Sequence, residues 1–95
     1  MKIERLTFQV NPPEYSKDFL IADSEVWNPW LKRQPGFLNK TSRIVGNGMV
    51  ELSLFWKDVD SVKKASGKVG ELDMVKKLMG DRFPGTYTLV LSSSL

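Results

Sequence analysis

Residues 37–57 read FLNKTSRIVGNGMVELSLFWK, and this stretch decides the fold. Gly46-Asn47-Gly48 sits between two apolar-rich runs, and Gly and Asn accept the positive φ that tight hairpins require. Phe37–Val45 is therefore expected as one strand and Met49–Lys57 as its return, with Val50, Leu52, Leu54 and Trp56 on one face. A two-residue loop, Asn47-Gly48, would set Arg43 opposite Leu52. A three-residue loop over 46–48 sets Arg43 opposite Glu51 and Thr41 opposite Ser53. The second register is preferred, because charge then meets charge and hydroxyl meets hydroxyl. A one-residue slip would turn the strand over, so the facing of residues 37–45 depends on this choice.

Upstream, residues 2–10 alternate, with Leu6, Phe8 and Val10 pointing one way and Arg5, Thr7 and Gln9 the other, as in a half-buried strand. Asn11-Pro12-Pro13-Glu14 reads as an N-cap, a first-turn proline and a capping-box acid. The spacing of Tyr15, Phe19, Ala22, Val26 and Trp30, widened by Leu20, Trp27 and Leu31, predicts a helix over 12–32, deformed near Asn28 by Pro29. Downstream, Asp58 can cap a short helix through about Ala65. A second helical piece carries Val69, Leu72, Val75 and Leu78 at spacing three, with Met79 beside them, and should stop at Gly80. Pro84-Gly85 leads to a last strand, Thr86–Leu91, and a polar Ser92–Ser94 tail. The order β-α-β-β-α-β is that of a ferredoxin-like α+β sandwich, one domain over 1–95.

Helices can cover only one face of such a sheet. The other presents Ile3, Arg5, Thr7, Gln9, Met49, Glu51, Ser53 and Phe55, a mixture too apolar for a free surface. A two-fold homodimer burying that face is expected. RNA-recognition domains share the element order but stack bases on aromatics of the uncovered face, where Phe55 is the lone candidate.

Composition removes most chemistry. Among 95 residues there is no Cys and no His, so there is no disulfide, no thiolate nucleophile, no Cys/His zinc site and no Ser-His-Asp triad. The formal net charge is +3, and the lysines over 63–77 are interleaved with Asp60, Glu71 and Asp73; neither nucleic acid nor membrane is an expected partner. The start, Met1-Lys2-Ile3-Glu4-Arg5, lacks the apolar run of a signal peptide, and a cytoplasmic location is expected. Gly46-Asn47-Gly48 lacks the third glycine and following helix of a dinucleotide site, and Asp58-Val59-Asp60 lacks the later ligands of a calcium loop. No metal site is expected. Three tryptophans remain, Trp27, Trp30 and Trp56, which either pack as core and rim or line an apolar pocket between helices and sheet; on the second reading they are, with Phe8 and Leu54, the candidate ligand-binding residues.

The Pro35-Gly36-Phe37 entry to the second strand and the Trp56-Lys57-Asp58 exit from the third resemble those of the antibiotic-biosynthesis-monooxygenase-like proteins of the dimeric α+β barrel superfamily. Leu6-Thr7-Phe8-Gln9-Val10, the Trp27–Leu31 stretch and Gln34-Pro35-Gly36-Phe37 resemble an uncharacterised subfamily, and the resemblance spans residues 1–91. It implies a homodimer whose sheets face each other as a barrel, with a pocket in each subunit. Some members oxidise aromatic polyketides with oxygen and no cofactor; others degrade haem using Asn, Trp and His together. Trp56 matches that Trp, but residues 2–10 hold no Asn and the chain no His, so haem degradation by that route is not expected. Cofactors are expected to be none. No general base is identified, Arg5, Lys40 and Tyr15 being the nearest polar candidates. The leading expectation is a small homodimeric pocket protein for an apolar or aromatic compound, with cofactor-independent monooxygenation the activity that the resemblance implies. The alternative is a non-catalytic ligand-binding or regulatory dimer.

Overall fold

The structure, a computed structural model, describes residues 1–94. Strand β1 (Lys2–Asn11) leads through a 3-10 turn (Pro13–Tyr15) into helix α1 (Ser16–Lys32); β2 (Phe37–Gly46) and β3 (Met49–Trp56) form the hairpin; α2 (Val59–Ser66) and α3 (Val69–Arg82) precede β4 (Thr86–Ser94). The sheet order is β2-β3-β1-β4, antiparallel throughout, with the helices on one face, the ferredoxin-like arrangement anticipated from the element order. Among the described residues no helix is long and apolar enough to cross a membrane.

The hairpin reconciles the two loop lengths. The turn itself is the two residues Asn47 and Gly48, closed by Gly46 opposite Met49, but a bulge at Val45 shifts the ladder by one. Arg43 therefore lies opposite Glu51 and Thr41 opposite Ser53, with Arg43 Nε donating to Glu51 Oε1 at 3.1 Å. A second bulge at Leu38 puts Phe37 opposite Trp56 while Lys40 stays opposite Leu54. Both side chains thus share the helix-covered face of β3, which a regular strand would forbid because their separation is odd.

Four local expectations are corrected. Asn11 ends β1 and caps nothing; the chain enters the 3-10 turn without a side-chain cap, Ser16 Oγ donates to the Pro13 carbonyl at 2.7 Å, and α1 proper starts only at Ser16. Helix α3 passes Gly80 and runs to Arg82, so that glycine is no stop. The Ser92–Ser94 tail belongs to β4, pairing with residues 4–6 of β1. Within α3 the buried face follows Val75 and Met79 with Leu72 half-buried, while Val69 and Leu78 are exposed. At 3.6 residues per turn, positions nine apart lie about 180° apart on the helix, so a strict spacing of three cannot hold one face.

Asp58 caps α2 as anticipated, its Oδ1 accepting from the Ser61 amide at 2.8 Å and from Ser61 Oγ at 2.7 Å. These bonds hold its carboxyl below the ordinary range. Gly36 turns the chain into β2 with φ +84°, and a Cβ there would lie 2.0 Å from Ser61 Oγ, so backbone conformation and close approach to α2 both demand glycine. Gln34, buried beside it, donates to the Trp30 carbonyl at 2.8 Å and accepts from Lys68 Nζ at 2.6 Å. That link ties the C-terminus of α1 to the α2–α3 junction.

Two apolar clusters fill the space under the helices. One joins Val10, Phe19, Ala22, Val50, Met79 and Phe83; the other joins Trp30, Leu31, Leu54, Trp56, Ala65 and Val75.

Candidate functional site

Between the two clusters lies a cavity of about 470 Å³. Trp56, Trp27, Trp30, Phe8 and Leu54 all line it, together with Phe19, Leu52, Leu72, Met79 and Leu89. The strand period brings Phe8, Leu54 and Trp56 to one sheet face, and the helix period brings Trp27 and Trp30 down onto it. Trp27 and Trp30 meet edge to face at 5.9 Å, and Phe37 meets Trp56 likewise at 5.3 Å.

The indole N–H groups are treated unequally. Trp30 Nε1 donates to Glu71 Oε1 at 3.0 Å. Trp56, only 2% exposed, has no partner for its Nε1, the one buried side-chain polar atom among the described residues left unpaired. A buried donor without an acceptor costs roughly 1–3 kcal/mol.

Polar character enters the cavity through Asp23, Lys40, Lys76, Ser66 and Tyr87. Asp23 on α1 and Lys40 on β2 form a buried ion pair, and Lys40 Nζ also donates to Asn28 Oδ1 at 2.8 Å. Asn28 is in turn oriented by donating to Ser24 Oγ at 3.1 Å. Burial pushes the Asp23 carboxyl above its ordinary range, and the Lys40 ammonium only partly offsets that rise. The Tyr87 phenol is likewise pushed up, first by burial and then by the neighbouring Asp23 charge.

Of the three polar side chains considered from sequence, Lys40 alone reaches the cavity. Arg5 lies on the uncovered face, within 3.7 Å of Glu51, and Tyr15 packs against Phe83 from the 3-10 turn. Asp23 and Tyr87 are additions that the structure makes. Asp23 had a signal: Phe19, Asp23 and Trp27 succeed one another at spacing four, placing a carboxylate inside the apolar stripe of α1. Tyr87 faces the cavity because β4 pairs it with Val10, a register that sequence alone leaves open.

No family model matches the sequence, and no curated protein matches it either. Solved structures do. A monooxygenase from the ActVA-Orf6 gene of Streptomyces coelicolor, in complex with nanaomycin D, is 15% identical over 99% of this chain and 84% of its own, with a TM-score of 0.73. A variant of SnoaB, a cofactor-independent oxygenase from Streptomyces nogalater, is 17% identical over 99% and 90%, with a TM-score of 0.60. A dimeric ferredoxin-like protein from an uncultured marine organism is 12% identical over 99% and 92%, with a TM-score of 0.73. The chain thus has the ferredoxin-like α+β fold of the antibiotic biosynthesis monooxygenase-like proteins.

Proposed function

We propose that this protein is a homodimeric, cytoplasmic, cofactor-independent monooxygenase that takes a small apolar or aromatic compound into the cavity beneath α1 and α3. The observation that carries this reading is a largely apolar cavity, lined by Trp27, Trp30 and Trp56, whose wall also holds a buried carboxylate–ammonium pair.

In this reading Asp23, made more basic by burial, removes a proton from a C–H bond activated by an adjacent carbonyl or hydroxyaryl ring. Lys40 stabilises the charge that then develops on the substrate oxygen. The carbanion is the reductant and dioxygen the oxidant: an electron passes to oxygen, a C–O bond forms to give a peroxide, and loss of water leaves a carbonyl. The step balances: a methylene group and one molecule of dioxygen give a carbonyl group and one molecule of water. Both methylene hydrogens, including the abstracted proton, end in that water.

Dimerisation would use the face away from the helices. Ile3 lies directly opposite Phe55 there, Met49 is half-exposed and Leu91 exposed, while Arg5 and Arg43 flank Glu51. A patch with satisfied charges and apolar neighbours suits burial against its own two-fold copy.

The test is oxygen uptake with a panel of anthrones and naphthols, alongside native mass spectrometry. Protein-dependent uptake that falls at least about 100-fold in Asp23→Asn, with circular dichroism unchanged, supports the oxygenase. Saturable binding with no uptake overturns it in favour of a non-catalytic binding dimer. A single-chain mass at micromolar concentration overturns the dimer.

A further inference from the structure

The cavity's charge is unbalanced. Three side chains that are ionic at neutral pH line it, Asp23, Lys40 and Lys76. Asp23 and Lys40 neutralise one another, which leaves Lys76 as the uncompensated charge; among the described residues it enters no ion pair. Its place is set by helix geometry. At 3.6 residues per turn Lys76 lies about 40° around α3 from Leu72 and about 60° from Met79. Both of those line the cavity, and Lys76 is exposed, so it stands at the rim, where apolar wall gives way to water.

The ion pair itself leaves a spare donor. Lys40 directs two of its three N–H groups at Asp23 and Asn28, leaving one. A cavity with a spare Lys40 N–H in its wall and a free ammonium at its edge is matched by a molecule bearing acceptors and a negative charge.

We propose that the ligand is an amphipathic organic anion, an aromatic or alicyclic body carrying a carboxylate or comparably acidic group, with the body in the cavity and the acidic group paired to Lys76. This rests on the reading of the cavity as a ligand site and adds the class of ligand. An ammonium at the rim stays hydrated in the empty protein, so leaving it unpaired costs little; with a ligand body displacing water beside it, the effective dielectric falls and the pair strengthens. Lysine acts as a point charge without a planar fork, so any compact anion of the right reach should serve.

A matched pair of dyes tests this on the intact protein: 8-anilinonaphthalene-1-sulfonate, an anion, and N-phenyl-1-naphthylamine, its uncharged counterpart. Energy transfer from Trp27, Trp30 and Trp56 reports whether the dye sits in the cavity they line. The sulfonate should bind about tenfold more tightly than the neutral dye, a gap of about 1.4 kcal/mol that narrows with added salt. Lys76→Gln should close the gap by weakening the sulfonate alone. Lys77→Gln, on the outward side of α3, should leave both affinities unchanged. Equal binding of the two dyes, or an equal effect of the Lys77 and Lys76 substitutions, overturns Lys76 as the anion anchor while keeping the cavity as a ligand site. Binding of neither dye overturns both.

Discussion

At the hairpin end of the covered sheet face, Phe8, Phe19, Phe83 and Tyr87 interlock with ring centroids 5.1 to 6.3 Å apart, around Val10 and Val50, which have no exposure. At the opposite end Trp27 meets Trp30 and Phe37 meets Trp56, both edge-on, yet one N–H there is bonded to Glu71 and another to nothing. The difference is one of chemistry. Phenyl rings have no polar atom and can close against each other in any tilted arrangement. An indole is larger and must also aim an N–H, so a group of indoles in a thin layer leaves either a partner to be found or a space. Phe83, Val10 and Val50 close the phenylalanine end as core, while Phe8, Phe19 and Tyr87 turn one side to the cavity that they share with the three tryptophans and the Asp23–Lys40 pair.

That contrast can be broken by substitution. Phe19→Ala should be the most damaging, about 4 kcal/mol in urea unfolding, because it empties the centre of a close-packed cluster. Lys40→Met should follow at about 3 kcal/mol near neutral pH, since it strands the Asp23 carboxylate in the interior. Its penalty should shrink in acid, where that carboxyl is protonated, and a second change, Asp23→Leu, should recover most of the loss. A Lys40→Met variant as stable as wild type would show that the pair contributes nothing to holding α1 on β2.

Trp56→Phe separates the two ends most sharply. It keeps a ring against Phe37 but deletes the unpaired N–H, so stability should change by no more than about 1 kcal/mol. Ligand binding should nevertheless weaken. Equal losses of stability and binding would make Trp56 ordinary core.

The smallest effect is a difference in pH slope between two aspartates. Asp23 has a raised carboxyl in the folded protein, so the fold holds its proton more tightly than the unfolded chain does. Its contribution is full below the ordinary value of 3.8 and is lost as pH rises through the raised value. Asp58 is lowered, so its contribution is present above 3.8 and is lost as pH falls through the lowered value. Asp23→Asn should therefore flatten a decline in stability with rising pH, and Asp58→Asn should flatten a decline with falling pH. Both can be read from thermal midpoints between pH 3 and pH 7, and a common sign for the two would contradict these assignments.

How far the molecule was legible in sequence differs by residue. The alternation of Leu6, Phe8 and Val10, the place of the hairpin turn within Gly46-Asn47-Gly48 and the Asp58 cap are local patterns with local causes, and each appears where the pattern put it, although the loop is one residue shorter than the preferred three. The five apolar residues expected at a pocket do line one cavity, because strand and helix periods direct them to the same layer. Asp23 is not legible in the same way, because a lone carboxylate in an apolar stripe shows no purpose until its cation is known. That cation, Lys40, comes from β2, whose facing at that position turns on the bulge at Val45.

By itself, then, the sequence determined the α+β class, the element order, the helix-covered face of β1 and β3, and the exclusion of thiol, imidazole and triad chemistry. These follow from short-range periodicity and from which residue types are present. Only the tertiary structure decided which polar groups meet: the bulge at Val45 that turns Lys40 to the covered face, the bulge at Leu38 that brings Phe37 to the same side, the β4 register that brings Tyr87 in, and the indole of Trp56 left without an acceptor. The physical reason is that a one-residue change of register reverses a strand's facing, yet leaves its local hydrophobic pattern almost unaltered.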